Sequence, residues 1–161
     1  MEEKKMSEEM YFTFTLGDGI FAIPVSAVRE VLRYSQLTRV PKAAPYLKGV
    51  MNIRGSVVTV IDFRELFNFP AKKSAEESAI IVTETPQENE QQPFTTAIVA
   101  DDVDVVGPLE ITKSDNANYG GMSNRREFIK CVGLKNGEFV LVLDLPKILE
   151  SIEAEVDRDI A

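Results

Sequence analysis

Asp101, Asp102 and Asp104 put three carboxylates within four residues, a density that suits a divalent cation. A calcium loop also wants a glycine and a distal glutamate at fixed spacing, and neither is there. In an extended segment, alternation sends Asp102 and Asp104 to one face and Val103 and Val105 to the other. A solvated strand edge guarded by charge is therefore the favoured reading of the acidic run. The remaining catalytic inventory is thin. The chain has no histidine, which removes the commonest general base and metal ligand, any histidine phosphoacceptor and any Ser–His–Asp arrangement. Its one cysteine, Cys131, can form neither an intrachain disulfide nor a multi-cysteine zinc site, and on a strand it reads as a small buried hydrophobe. No phosphate loop, GxGxxG or GxSxG occurs. No enzymatic activity, metal or cofactor is expected, and what remains is a surface that binds something.

Two charged residues stand out on that surface. Glu30 lies in VREVL, a segment whose inward positions are otherwise apolar, and Arg54 sits beside Gly55 at a hairpin end. Arg54 gains weight from an internal repeat. Residues 46–67, YLKGVMNIRGSVVTVIDFRELF, recur at 128–149 as FIKCVGLKNGEFVLVLDLPKIL, without a gap and at a constant offset of 82 residues. Lys48, Val50, Gly55 and Asp62 answer Lys130, Val132, Gly137 and Asp144, while Asn136-Gly137 replaces Arg54-Gly55. Asn-Gly is a favoured hairpin turn, so the turn itself does not require arginine.

The elements that must position these residues follow from the pattern. YFTFTL alternates, with Phe12, Phe14 and Leu16 on one face, and IFAI returns after the turn signal at Gly17-Asp18-Gly19. Val25, Val28 and Leu32 at helical spacing predict a short helix through about Val31. QLTRV at 36–40 predicts a short strand. The first copy of the repeat is a hairpin in which Asp62 caps a short FRELF helix. Strands follow at 79–83, 94–100 and 102–106, the first two separated by the connector ETPQENEQQP. A long loop covers 112–127. The second copy is another hairpin, and Asp144 caps a helix from about Leu145 to Ala154. Val58, Val60, Val140 and Val142 are candidate core. Nine or ten short strands with an internal repeat read as mainly β: two small barrels or curled sheets joined in one unit.

The totals agree with such a unit. A chain of 161 residues buries roughly 70% of its unfolded surface, and 44% apolar with 27% charged residues is ordinary globular composition. Lys and Arg total 18 against 26 Asp and Glu, a net charge of −8 that disfavours nucleic acid. MEEKKMSEEM has no signal-like apolar region, and no run approaches ~18 apolar residues, so a cytoplasmic protein without membrane insertion is expected.

LGDGIFAIPVSAVREVL, VPKAAPYLKGVMNIRGSVVTVIDFREL, IVADDVDVV and VLVLDLPKIL together resemble the CheW coupling proteins of bacterial chemotaxis. GVMNIRGSVVTVIDFR is the most specific of these stretches, and the likeness runs from about Tyr11 to Leu149. The resemblance implies two five-stranded β-barrels side by side, forming one domain over 10–150. Its halves would run about 10–75 and 76–150, exchange of strands between them being open, with a flexible leader 1–9 and a tail 151–161. It also implies a non-enzymatic adaptor linking the cytoplasmic tip of a chemoreceptor to the regulatory domain of the CheA histidine kinase, in the cytoplasm at membrane-associated receptor arrays. An adaptor of the same kind in another pathway, such as surface motility or second-messenger output, is the alternative. By position, Val28, Glu30, Gly49, Arg54 and Val106 resemble the family's receptor-coupling residues. Thr59 stands where the family has proline, Ala100 where valine is common and Cys131 where the second half has glycine, and 112–127 lacks the usual Ile-Pro spacing.

Overall fold

A computed structural model describes residues 5–86, 91–112 and 123–160. Its first strands are β1 (Lys5–Met6), β2 (Tyr11–Leu16), β3 (Gly19–Pro24) and β4 (Val28–Arg33). The first copy of the repeat supplies β5 (Leu47–Ile53) and β6 (Ser56–Asp62), followed by the one-turn helix α1 (Phe63–Leu66). Then come β7 (Ala79–Thr85), β8 (Phe94–Ala100), β9 (Asp102–Gly107) and β10 (Glu110–Thr112). The second copy supplies β11 (Ile129–Lys135) and β12 (Glu138–Leu143), followed by α2 (Leu145–Ile160). Both aspartates cap as expected: Asp62 Oδ1 accepts the Arg64 N–H at 2.9 Å, and Asp144 Oδ1 accepts that of Lys147 at 3.2 Å.

The strands form two sheets, ordered β4-β7-β8-β6-β5 and β1-β10-β11-β12-β3-β2-β9. The second contains the first's pattern. In each, a repeat hairpin (β5–β6, β11–β12) joins a neighbour in parallel (β6 with β8, β12 with β3) and then continues through two antiparallel pairings. Five of the seven strands thus repeat the smaller sheet, and β10 and β1 extend it. The five-stranded sheet takes every strand from Val28 to Ala100, whereas the other is assembled from both ends of the chain. Residues 11–62 thus supply strands to both sheets.

Neither ladder closes into a barrel; each sheet is open, with two edge strands. Three apolar clusters hold the molecule together. One lies inside the five-stranded sheet, with Met51, Ile53, Val58, Val60, Ile80 and Val82. A smaller one lines the seven-stranded sheet with Tyr11, Ala22, Leu109, Val140 and Val142. The largest joins both sheets to α1 and α2 through Phe14, Phe21, Phe63, Ile81, Ile98 and Ile148. Phe67 stacks on Phe21 at 6.0 Å and meets Phe128 edge-on at 6.3 Å. Each such ring contributes about 1.5–3 kcal/mol by leaving water. The strand β2 is buried on both faces, since Tyr11 and Thr13 are as enclosed as Phe12 and Phe14.

Several sequence expectations need correction. The helix expected through Val31 is a 3-10 turn, Val25–Ala27, followed by β4. Val28 and Val31 are β-branched and lose little by extending, and β4 gains a ladder with β7, interrupted by one bulge between Val28 and Glu30, with Val31 opposite Ile81. Of QLTRV, only Thr38 pairs, bridging to Val50. Glu84 and Thr85 extend β7 beyond the expected strand, and residues 87–90 of that connector lie outside the described residues. Within the leader, β1 pairs with β10. The helix α2 runs to Ile160, six residues beyond Ala154. Thr112 belongs to β10 and 123–128 form a 3-10 turn, while 113–122 of the expected loop lie outside the described residues. Among the described residues, no helix is long and apolar enough to cross a membrane.

Candidate partner-binding site

The five-stranded sheet leaves β4 and β5 as its two edges, and the curl of the sheet brings these edges toward each other. Period-two alternation along β4 puts Val28, Glu30 and Leu32 on its half-buried face. Glu30 thereby reaches the turn at the end of β5, where Arg54 Nε donates to its Oε2 at 2.8 Å. The Glu30 side chain is 18% exposed and that of Arg54 68%, so the carboxylate is shielded and the guanidinium projects outward. Hydrogen bonding to Glu30, reinforced by its charge, holds Arg54 above its ordinary pKa. A groove of about 320 Å³ runs along the seam between the two edges, touching Glu30, Leu32, Arg33, Met51, Ile53 and Arg54.

The turn itself is informative. Arg54 and Gly55 have φ of 52° and 85°, and Asn136 and Gly137 have 53° and 80°, so both hairpins close on the same two-residue turn with both φ positive. Asn tolerates the left-handed region better than other non-glycine residues. Arg54 occupies that region against its preference, and its ion pair with Glu30 is too exposed to offset much. Arg54→Asn is accordingly expected to melt at or above the wild-type Tm in a calorimetric scan. A clear fall would mean that the Glu30 pair is a structural clamp.

Gly49 lies buried on β5 below this turn, with φ of 146°. A Cβ there would overlap the carbonyl oxygen of Thr38, and Thr38 exchanges both backbone hydrogen bonds with Val50, at 2.9 and 2.8 Å. Gly49 thus lets the chain after β4 lie against the free edge of β5. Val28 sits at the start of β4, packed on the large shared cluster. Val106 is exposed on β9, the edge of the other sheet, where it faces Phe12. The structure therefore joins Glu30 directly to Arg54, places Gly49 on β5, the strand that leads to Arg54, and sets Val28 at the base of β4. Val106 belongs to a different sheet.

The acidic run divides in two. Asp102 and Asp104 are exposed on edge strand β9, as its charge pattern suggested, and pair with Lys73 at 2.6 Å and Lys135 at 3.7 Å. Asp101 is not solvated: it is 2% exposed, where the chain passes from β8 in one sheet to β9 in the other. Its Oδ2 accepts the Gly17 N–H at 2.7 Å. Its Oδ1 accepts from Arg64 Nη1 at 2.8 Å and from the N–H groups of Lys72 and Lys73 at 2.9 and 3.0 Å. Arg64 is also gripped by Asp62, with Nε and Nη2 donating to its two oxygens at 3.0 Å each. Burial alone would raise the Asp101 carboxyl, but these donors outweigh it and hold its pKa below the usual range. The sequence signal was available: Asp101 directly extends FTTAIVA, a strand with no room for an unpaired charge.

Cys131 is half-buried beside Tyr11, Val140 and Val142, and burial raises its thiol pKa, as suits an inert packing residue. Among the described residues, no group of three or more His, Cys, Asp or Glu side chains is arranged to hold a metal ion.

Comparison with known proteins agrees with this architecture. A family model described as a CheW-like domain matches residues 10–153. The chain is similar to the chemotaxis protein CheW of Klebsiella aerogenes, 27% identical over 151 residues that cover 94% of this chain and 87% of that one. It is similar to the chemotaxis protein CheW of Helicobacter pylori, 30% identical over 87% of this chain and 81% of that one. Among solved structures, the scaffolding protein TtCheW of Thermoanaerobacter tengcongensis superposes with a TM-score of 0.67 over 85% of this chain and 84% of that one. At 18% identity that likeness speaks for the fold.

Proposed function

Since the chain belongs to the CheW-like family, we propose that it is a non-enzymatic adaptor that couples the cytoplasmic tip of a chemoreceptor to the regulatory domain of the CheA histidine kinase. It works in the cytoplasm, at arrays of membrane-embedded receptors. The observation that carries this reading is Arg54: a guanidinium held by Glu30, projecting from a strained turn that its own repeat closes with asparagine. A residue kept against its backbone preference at an exposed position serves something outside the fold. Its Nη groups are directional donors for carboxylate or backbone acceptors on the receptor tip. Val28, Glu30 and Gly49 build and support that site, and Val106 is a second contact on the neighbouring sheet. Individual affinities need only be modest, because an array multiplies them by avidity.

Calorimetric titration of the protein with the kinase regulatory domain of the same organism tests the reading, and a flat trace would remove it. With the receptor tip as titrant, Arg54→Ala is expected to weaken binding by about tenfold at physiological salt. Unchanged affinity would take Arg54 out of the receptor contact.

A further inference from the structure

The seam groove contains a second guanidinium that the reading above leaves without a task. Arg33 is exposed at the end of β4 and borders the same groove as Arg54. Among the described residues Arg33 has no ion-pair partner. Glu30 is the one carboxylate lining the groove, and its Oε2 is engaged by Arg54 Nε. Two guanidinium groups against one committed carboxylate leave the groove locally positive in a chain whose net charge is −8. Leu32, Met51 and Ile53 add an apolar wall below the charged rim.

We propose that this groove is a carboxylate-binding site, in which Arg33 and Arg54 together receive an acidic side chain of the receptor tip, Arg33 setting the preference for an acidic partner. The inference rests on the coupling reading above and deepens it. Arg54 has Nε committed to Glu30 and an exposed side chain whose two Nη groups remain for a partner, while Arg33 brings an entire fork without an ion pair among the described residues. A planar carboxylate between two such forks gains charge-assisted hydrogen bonds on both sides. The aliphatic part of a Glu or Asp side chain lies against the apolar wall. The volume, about 320 Å³, is at the small end of ligand pockets and suits one inserted side chain. The net charge of the whole chain repels a polyanion such as nucleic acid, whereas a single carboxylate on a helix answers the local positive charge without meeting the remote acidic surface.

The test titrates full-length protein with the cytoplasmic tip fragment of a receptor from the same organism, using wild type, R33Q, R33K and R54A. The kinase regulatory domain serves as a second titrant. The expected result is a loss of about tenfold in tip affinity for R33Q and a partial loss for R33K, which keeps the charge but not the fork. Salt dependence should be shallower for R33Q, and the regulatory-domain isotherm should match wild type. If R33Q binds the tip as wild type does while R54A is weakened, the carboxylate site is overturned and the coupling reading stands. If wild type binds the regulatory domain and not the tip, the carboxylate site and the receptor half of the reading both fall.

Discussion

Asp101→Ala is expected to lower the unfolding free energy by about 3–5 kcal/mol, the range for removing one partner from a buried ion pair. The substitution strips an acceptor from Arg64 Nη1 and orphans the N–H groups of Gly17, Lys72 and Lys73. It leaves the buried Arg64 charge facing Asp62 alone. Denaturant titration measures the effect, and Asp102→Ala, which breaks only an exposed pair with Lys73, supplies a control near wild type. A loss under 1 kcal/mol for Asp101→Ala would show that the network is dispensable. The pH dependence carries the same signature. Because the folded carboxyl titrates below its ordinary value near 3.8, its contribution is fully present above that value. It is lost as the pH falls from there through the lower folded value. Between those limits the stability of wild type should fall more steeply with acid than that of Asp101→Asn.

Gly49→Ala is expected to destabilise the protein by about 3 kcal/mol, combining a strained positive φ with overlap against the Thr38 carbonyl. Residues 36–40 would be pushed off the β5 edge, and the groove between β4 and β5 would lose its shape. Receptor-tip binding should therefore fall together with Tm, whereas Arg54→Ala should lower binding and leave Tm near wild type. A Gly49→Ala protein with normal stability and lost binding would instead make Gly49 a direct contact. The two variants thus separate a residue that touches the partner from one that shapes the surface touching it.

What the sequence disclosed and what it hid divide along physical lines. The repeat was legible because both copies keep a hairpin, a capping aspartate and a helix, all of which are local. The extended segment at Val28–Arg33 was not, because its ladder partner β7 begins 46 residues later at Ala79, while Val25, Val28 and Leu32 fall locally at helical spacing. Glu30 and Arg54 stood out singly from their types and neighbours. Their contact depends on the curl of a five-stranded sheet, which no local pattern encodes. Asp101 was hidden by its neighbours: two solvated aspartates disguised a buried one. Gly49 was noticed only through resemblance, since the Thr38 carbonyl that forbids a side chain there approaches from outside the hairpin.

The unequal origin of the two sheets has a consequence for biosynthesis. Every strand of the five-stranded sheet has been made once Ala100 emerges from the ribosome, so that half can assemble while synthesis continues. β3, made among the first strands, must wait for β12, whose Leu141 pairs with Phe21. Until then β3 has an open edge, and the pairing that closes it is among the longest-range contacts in the chain, the slowest kind to form. The nascent protein therefore spends its most exposed interval with its N-terminal hairpin unpaired on one side. A ribosome stalled before β12 would release a chain with one sheet finished and the other a template for association.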